Sequence, residues 1–163
     1  MLLCEHEHFM RLALAEAEKA GRAGEIPVGA VLVKDGEVLA ASGNTREHGG
    51  GALGHAEMEV IRMGCERLGG WRLSGCILYV TLEPCPMCAG AAVNARLDAV
   101  VYGAADPAAG CLGSKINLFA LDFSARPRIV AGVLADECAA RLRSFFQARR
   151  SAQTDTTEGN TNG

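Results

Sequence analysis

The sequence predicts an α/β fold, a three-layer α/β/α sandwich with a mixed five-stranded central sheet flanked by helices. Three observations predict it. Segments with helical apolar spacing alternate with short β-branched runs, in the order helix, hairpin, helix, strand, helix, strand, strand, helix. The strand-helix-strand stretch over residues 76–103 needs a crossover, and so a parallel pair. The Asp35-Gly36 dipeptide between two apolar runs marks an antiparallel hairpin, which makes the sheet mixed.

Each element follows from its own residues. Residues 5–23 are rich in Ala and place Phe9, Leu12, Ala13, Ala17 and Ala20 on one helical stripe, which Gly21 and Gly24 end. Residues 29–34 and 37–41 are the two hairpin strands, and residues 44–54 form a Gly-rich loop. Residues 55–68 carry Met58, Ile61, Cys65 and Leu68 at helical spacing, with Gly69-Gly70 as the stop. The continuous apolar run over residues 76–82 fits a strand buried on both faces, at the centre of the sheet. An Ala-rich helix over residues 86–95 follows almost directly, with Pro86 in the first turn, where its missing N–H costs nothing. A strand over residues 98–102, a Gly/Ala-rich loop over 104–114 and a short apolar piece over 116–123 come next. A strand over 128–133 and a helix over 136–150 complete the fold.

Residues 1–150 thus read as one domain, and residues 151–163, which hold no large apolar side chain, as a disordered polar tail. Sixteen Lys and Arg against nineteen Asp and Glu give a formal charge of −3, which excludes a broad electrostatic footprint for nucleic acid. A polyanion must therefore be met by a local patch. The longest uncharged stretch, residues 84–95, is too short and too broken by proline to span a membrane. Residues 1–8 carry Glu5 and Glu7 and show no basic segment followed by an apolar one, so a cytoplasmic protein is expected. The cysteine count of seven is odd, and no disulfide framework is expected.

Two short motifs carry chemistry. Cys85-Pro86-Met87-Cys88 sits where the central strand hands over to a helix, whose N-terminus favours thiolates. Alone, this spacing also fits a thioredoxin-like redox pair. His55-Ala56-Glu57, thirty residues upstream at another helix entrance, points to a metal instead. Positions i and i+2 of a regular helix face nearly opposite ways, so both can face one site only if His55 lies at the non-helical N-cap, which Gly54 permits. His55, Cys85 and Cys88 around one zinc would leave a fourth position for water, as in catalytic sites. The competing arrangement is a closed structural site with His48, His6 or His8 as fourth ligand. Glu57 argues against it, because a carboxylate beside the metal serves a water that must lose and regain a proton.

These two motifs, the second within Thr81-Leu82-Glu83-Pro84-Cys85-Pro86-Met87-Cys88-Ala89-Gly90, resemble the zinc nucleobase-deaminase family, the cytidine/deoxycytidylate deaminase superfamily. The pairing is that family's defining signature, and its chemistry is the family's own. The resemblance extends to the bacterial tRNA-specific adenosine deaminase branch. It runs through Pro27-Val28-Gly29-Ala30, Trp71-Arg72-Leu73, Val101-Tyr102-Gly103-Ala104 with Asp106, and the segment from Ala135 through Phe145-Phe146 to Arg149-Arg150.

The resemblance implies hydrolytic deamination of the wobble adenosine to inosine in a tRNA anticodon loop, with one zinc per subunit of a homodimer. Water activated at zinc would attack C6 of adenine while Glu57 carries its proton to N1 and then to the departing ammonia. The backbone at Ala56 and the turn at Pro84 would hold the base edge and leaving amine, Asn44 the purine, and Asp106 the ribose. Phe145, Phe146, Arg149 and Arg150 match a helix end that touches RNA. On the residues alone, Asn44 reads as a strand-end turn, Asp106 as a solvated loop carboxylate, the two Phe as core and the two Arg as helix C-terminal charges.

Two departures from the branch stand out. No Lys or Arg lies between Arg96 and Lys115, and Phe123-Ser124-Ala125-Arg126-Pro127-Arg128 replaces an Asn-His-Arg-like stretch. Weaker phosphate contacts are expected there. The alternatives that these features leave open are a deaminase of a free base or nucleoside such as guanine or cytidine, and a non-catalytic zinc module.

Overall fold

The computed structural model describes residues 2–158. A five-stranded sheet in the order β2-β1-β3-β4-β5 forms the middle layer. Its strands are β1 (Gly29–Lys34), β2 (Glu37–Gly43), β3 (Cys76–Leu82), β4 (Ala99–Ala104) and β5 (Arg128–Ala131). β1 pairs antiparallel with β2 and β3, whereas β3–β4 and β4–β5 are parallel, which is the mixed sheet that the hairpin and crossover signals predict. The hairpin turn holds Asp35 and Gly36 at φ 50° and 78°, the left-handed pair that the right-handed twist of the flanking strands demands. β3 lies at the centre, as its unbroken apolar run requires.

Four helices cover the sheet: α1 (Leu3–Arg22), α2 (Ala56–Leu68), α3 (Pro86–Asn94) and α4 (Ala135–Glu158). Alternation along the strands divides the core. Ala30 and Leu32 of β1 with Leu78 and Val80 of β3 pack against Val60, Ala89 and Ala92 of α2 and α3. Val31, Val33 and Tyr79 pack on the other face against Phe9, Met10, Ala13 and Leu14 of α1 and Cys138 of α4. Burying side chains of the size of Leu32, Leu78 or Met10 contributes roughly 1.5–3 kcal/mol each. All seven cysteines are free.

Three expectations need correction. In α1 the buried face is completed by Met10 and Leu14, while Leu12 is turned outward, because the sheet takes a slightly rotated stripe. In α2 the buried face is Ala56, Val60, Ile61 and Gly64, and Leu68 is exposed beside the Gly69 cap. The tail is not disordered from residue 151: α4 continues to Glu158, and residues 159–163 of the expected tail lie outside the described residues. The hydroxyls of Ser151, Thr154 and Thr156 donate to the carbonyls of Gln147, Arg150 and Ala152 one turn back, so short polar residues extend the helix without apolar packing. Among the described residues no helix is long and apolar enough to cross a membrane.

Candidate active site

Two helix N-termini meet at one end of the sheet. His55 is the N-cap of α2 in an extended conformation (φ −90°, ψ 144°), so its ring leaves the helix path while Glu57 sits within the first turn. This satisfies the geometric condition on the His-x-Glu motif. Cys85 is the N-cap of α3 (φ −73°, ψ 175°), Pro86 follows at the first helical position, and Cys88 lies one turn in. Both helix dipoles thus point their positive ends at the same place, which favours thiolates and other anions there.

The three predicted ligands converge. His55 Nδ1 lies 3.6 Å from Cys85 Sγ and 3.5 Å from Cys88 Sγ, and all three donor atoms fall within 4.8 Å of one another. A tetrahedral zinc with ordinary Zn–N and Zn–S bonds would separate its nitrogen and sulfur ligands by about 3.6 Å, so the donor set fits the ion in chemistry and in spacing. No fourth His, Cys, Asp or Glu joins the group among the described residues. His48, the proposed closing ligand, is bonded to Glu25, and His6 to Tyr79. The hydrogen bond from Cys88 holds the Cys85 thiol down at about 4, whereas the Cys88 thiol is pushed up as the donor of that bond. The bond to Cys85 raises the His55 pKa.

Glu57 is 4% exposed, and burial pushes its carboxyl up to about 7. A bound cation would act in the opposite direction. Glu57 forms the floor of a cavity of about 160 Å³ together with His55 and Cys85; Val28, Asn44, Arg46, Glu83, Asp106 and Ala109 are among its walls. The reach of the cavity from metal donors to loop residues leaves room for a small planar ligand between them.

One wall is the loop after β2. Asn44 Oδ1 accepts the backbone N–H of Ala56 at 3.0 Å, so two predicted substrate contacts are bonded to each other. Behind this loop lies Glu25, 3% exposed, whose Oε1 accepts from the backbone N–H groups of Glu47 (2.8 Å) and His48 (3.1 Å) and pairs with His48 Nδ1 (2.7 Å). Burial works to raise the Glu25 carboxyl, but the His48 and Glu47 bonds bring it below the usual carboxylate value. The opposite wall is the loop after β4, where Asp106 Oδ1 accepts from Ala108 N (3.0 Å) and Ala109 N (3.3 Å). Behind it lies Glu83, which burial would raise but which bonds from Ser114, Asp106 and Leu112 hold below its usual value.

Asn44 and Asp106, to which the family resemblance gives substrate contacts, both line the cavity. Ala56 is fully buried at the start of α2, and the Pro84 carbonyl accepts the Cys111 N–H at 2.9 Å. Phe145, Phe146 and Arg149 lie on α4 away from the cavity lining. The two rings pack edge to face at 5.6 Å, Arg149 stands 4.9 Å over Phe145, and Phe146 is 41% exposed. Phe146 is therefore not core. Sequence reasoning missed Arg46, an exposed cation on the rim, and gave no role to Glu25 or Glu83. Only Glu83 carried a signal, as part of the motif around the two cysteines.

Comparison with known proteins bears on this geometry. Residues 4–104 match the model of the cytidine and deoxycytidylate deaminase zinc-binding region. The chain is 48% identical over 149 residues to a tRNA-specific adenosine deaminase of Bacillus subtilis, covering 91% of this chain and 92% of the relative. It is 47% identical, again over 149 residues, to a tRNA-specific adenosine deaminase of Agrobacterium fabrum, covering 98% of that protein. Among solved structures, one from work on A-to-I editing by tRNA:A34 deaminases at the wobble position of transfer RNA superimposes with a TM-score of 0.80. That match is 48% identical and covers 83% of this chain and 99% of the other. A guanine deaminase from Bacillus subtilis matches with a TM-score of 0.59 and 44% identity, over 61% of this chain and 64% of that one.

Proposed function

Because the chain belongs to the zinc-binding cytidine and deoxycytidylate deaminase family, we propose that it deaminates the wobble adenosine of a tRNA anticodon loop to inosine. The reaction consumes one water and releases ammonia from C6. The observation that carries the reaction class is Glu57, a buried carboxyl within the same cavity as a His-Cys-Cys donor set. The relatives' shared activity carries the choice of substrate.

Zinc is the cofactor, and His55, Cys85 and Cys88 would hold one ion per subunit, where it supplies an acidified water as nucleophile. The chain's own residues do the rest. Glu57 would carry both protons of that water in turn, the first to N1 of the base, where it stays, and the second to the amine that leaves as ammonia. Asn44 orients α2 through Ala56 and keeps its amide NH₂ for the purine. The Pro84 carbonyl, which accepts the Cys111 N–H, has a second lone pair that would serve the leaving amine, and Asp106 at the cavity would take the ribose. The target base must leave its stack to enter, which suits a single-stranded loop. Phe145, Phe146 and Arg149 offer aromatic and cationic contacts to the flanking RNA. A homodimer, which the family resemblance implies, and a cytoplasmic location, which the charged residues 1–8 suggest, complete the reading.

The test is inosine formation by zinc-loaded protein in an anticodon stem-loop with a wobble adenosine, with free adenosine, guanine and cytidine in parallel. Turnover of the stem-loop alone is expected. Turnover of a free base alone would refute the substrate, and no turnover with bound zinc would refute the reaction.

A further inference from the structure

The wall that contains Asp106 is a loop anchored in the core by Cys111 and Leu112 and to the motif by the Cys111 N–H on the Pro84 carbonyl. Residues 105–114 form turns and an isolated bridge at Leu112, and Ala105, Pro107, Ala108, Ala109 and two glycines make up most of the segment. One side chain at its base adds four hydrogen bonds along the loop. Glu83, 1% exposed, accepts from Asp106 N (2.9 Å) and the Ser114 hydroxyl on Oε2, and from Leu112 N (3.0 Å) and Ser114 N (2.9 Å) on Oε1. Both oxygens are filled by donors from this one loop. Bonds to a charged acceptor are stronger than those between neutral groups. The carboxylate also lies flat against the chain at Gly110, where a Cβ would stand 2.2 Å from Oε2.

We propose that Glu83 is a positioning residue for the nucleotide: its carboxylate sets the shape of the 105–114 loop and thereby where Asp106 and Ala109 stand when substrate enters. Glu83 also borders the cavity, but both its oxygens are taken by loop donors, so it acts through the loop. The inference rests on the tRNA deaminase reading of the site. An amide of the same shape cannot replace the carboxylate, because its NH₂ would face donors at whichever oxygen it takes.

The experiment compares zinc-loaded wild type with Glu83→Gln, Gly110→Ala and Ser114→Ala on the anticodon stem-loop, with zinc content and hydrogen exchange of the Asp106, Leu112 and Ser114 amides read alongside. Glu83→Gln is expected to raise KM about tenfold or more with kcat within about threefold, to keep one zinc per chain and to quicken exchange at the three amides. Gly110→Ala, whose methyl would press on both the carboxylate and the Asp106 carbonyl oxygen (2.6 Å), moves the loop as well and is expected to raise KM at least as much, and Ser114→Ala, which removes one donor of four, to raise KM by less than about threefold. The proposal is overturned if KM stays at the wild-type value in Glu83→Gln and Gly110→Ala, if kcat falls with KM unchanged, or if zinc is lost. Should Glu83→Gln fail to fold, Glu83→Asp, which keeps the charge but draws it back from the loop donors by one methylene, decides by the same criteria. Failure of the wild type to act on the stem-loop would refute the assigned substrate instead.

Discussion

The side chain of Asn44 accepts the backbone N–H of Ala56 at 3.0 Å, tying the end of β2 to the first turn of α2 between His55 and Glu57. One hydrogen bond thus braces the helix start that carries both His55 and Glu57. Asn44→Ala leaves that N–H without its partner, at a cost of about 1–3 kcal/mol. Thermal unfolding should show the loss. Asn44→Asp keeps the acceptor and is expected to recover the stability, yet not the activity, because it places a second carboxylate beside Glu57 and removes the NH₂ offered to the base.

Glu57→Gln should bind zinc at the wild-type stoichiometry and lose deamination by a factor of at least about 10²–10⁴, the usual contribution of a positioned acid-base group. Metal analysis and inosine assays on the same preparation check both halves. Retained activity would remove Glu57 from the mechanism.

Chelation should abolish inosine formation, and added zinc should restore it in wild type. Cys88→Ala removes a fully buried sulfur from the donor set, so it should neither retain zinc nor be rescued by it. Its unfolding temperature is expected to match that of chelated wild type more closely than that of the zinc-loaded form.

The Glu25–His48 contact predicts an acid-sensitive loop. The folded-state pKa of Glu25 is lowered, so the native state gives up this proton more readily than the unfolded chain does. Its contribution is present above the ordinary carboxylate value of about 4.3 and is lost as pH falls through the lower, folded value. Urea unfolding of wild type and Glu25→Gln should therefore diverge near neutrality and converge in acid. A gap that widens in acid would reverse the assignment.

Local signals made most of the fold and the metal site legible. Pro86 and Gly54 mark where two helices begin, and the spacing of His55-x-Glu57 admits only an N-cap histidine, which the structure has. β1 and β3 fall on the predicted residues because their apolar runs are bounded by turn residues on both sides. What Glu25 and Glu83 hold in place was not legible, although Glu83 stands within the cysteine motif. Glu25 acts on residues 47 and 48, and Glu83 on residues 106–114, across distances that only the folded sheet closes. The end of α4 was misjudged for a different reason: absence of apolar residues says that a segment is not packed, not that it is not helical.

Holding a wall from behind changes what its outer face must be. Pro107, Ala108 and Ala109 are exposed on the rim, while the backbone beneath them is set by Glu83 and by the Asp106 carboxylate. Their side chains are therefore replaceable parts on a fixed frame. A lysine or an aromatic introduced at Ala108, which is exposed and outside the cavity lining, would meet the incoming nucleic acid without redrawing the loop, which makes this position the natural place to retune target preference in the laboratory.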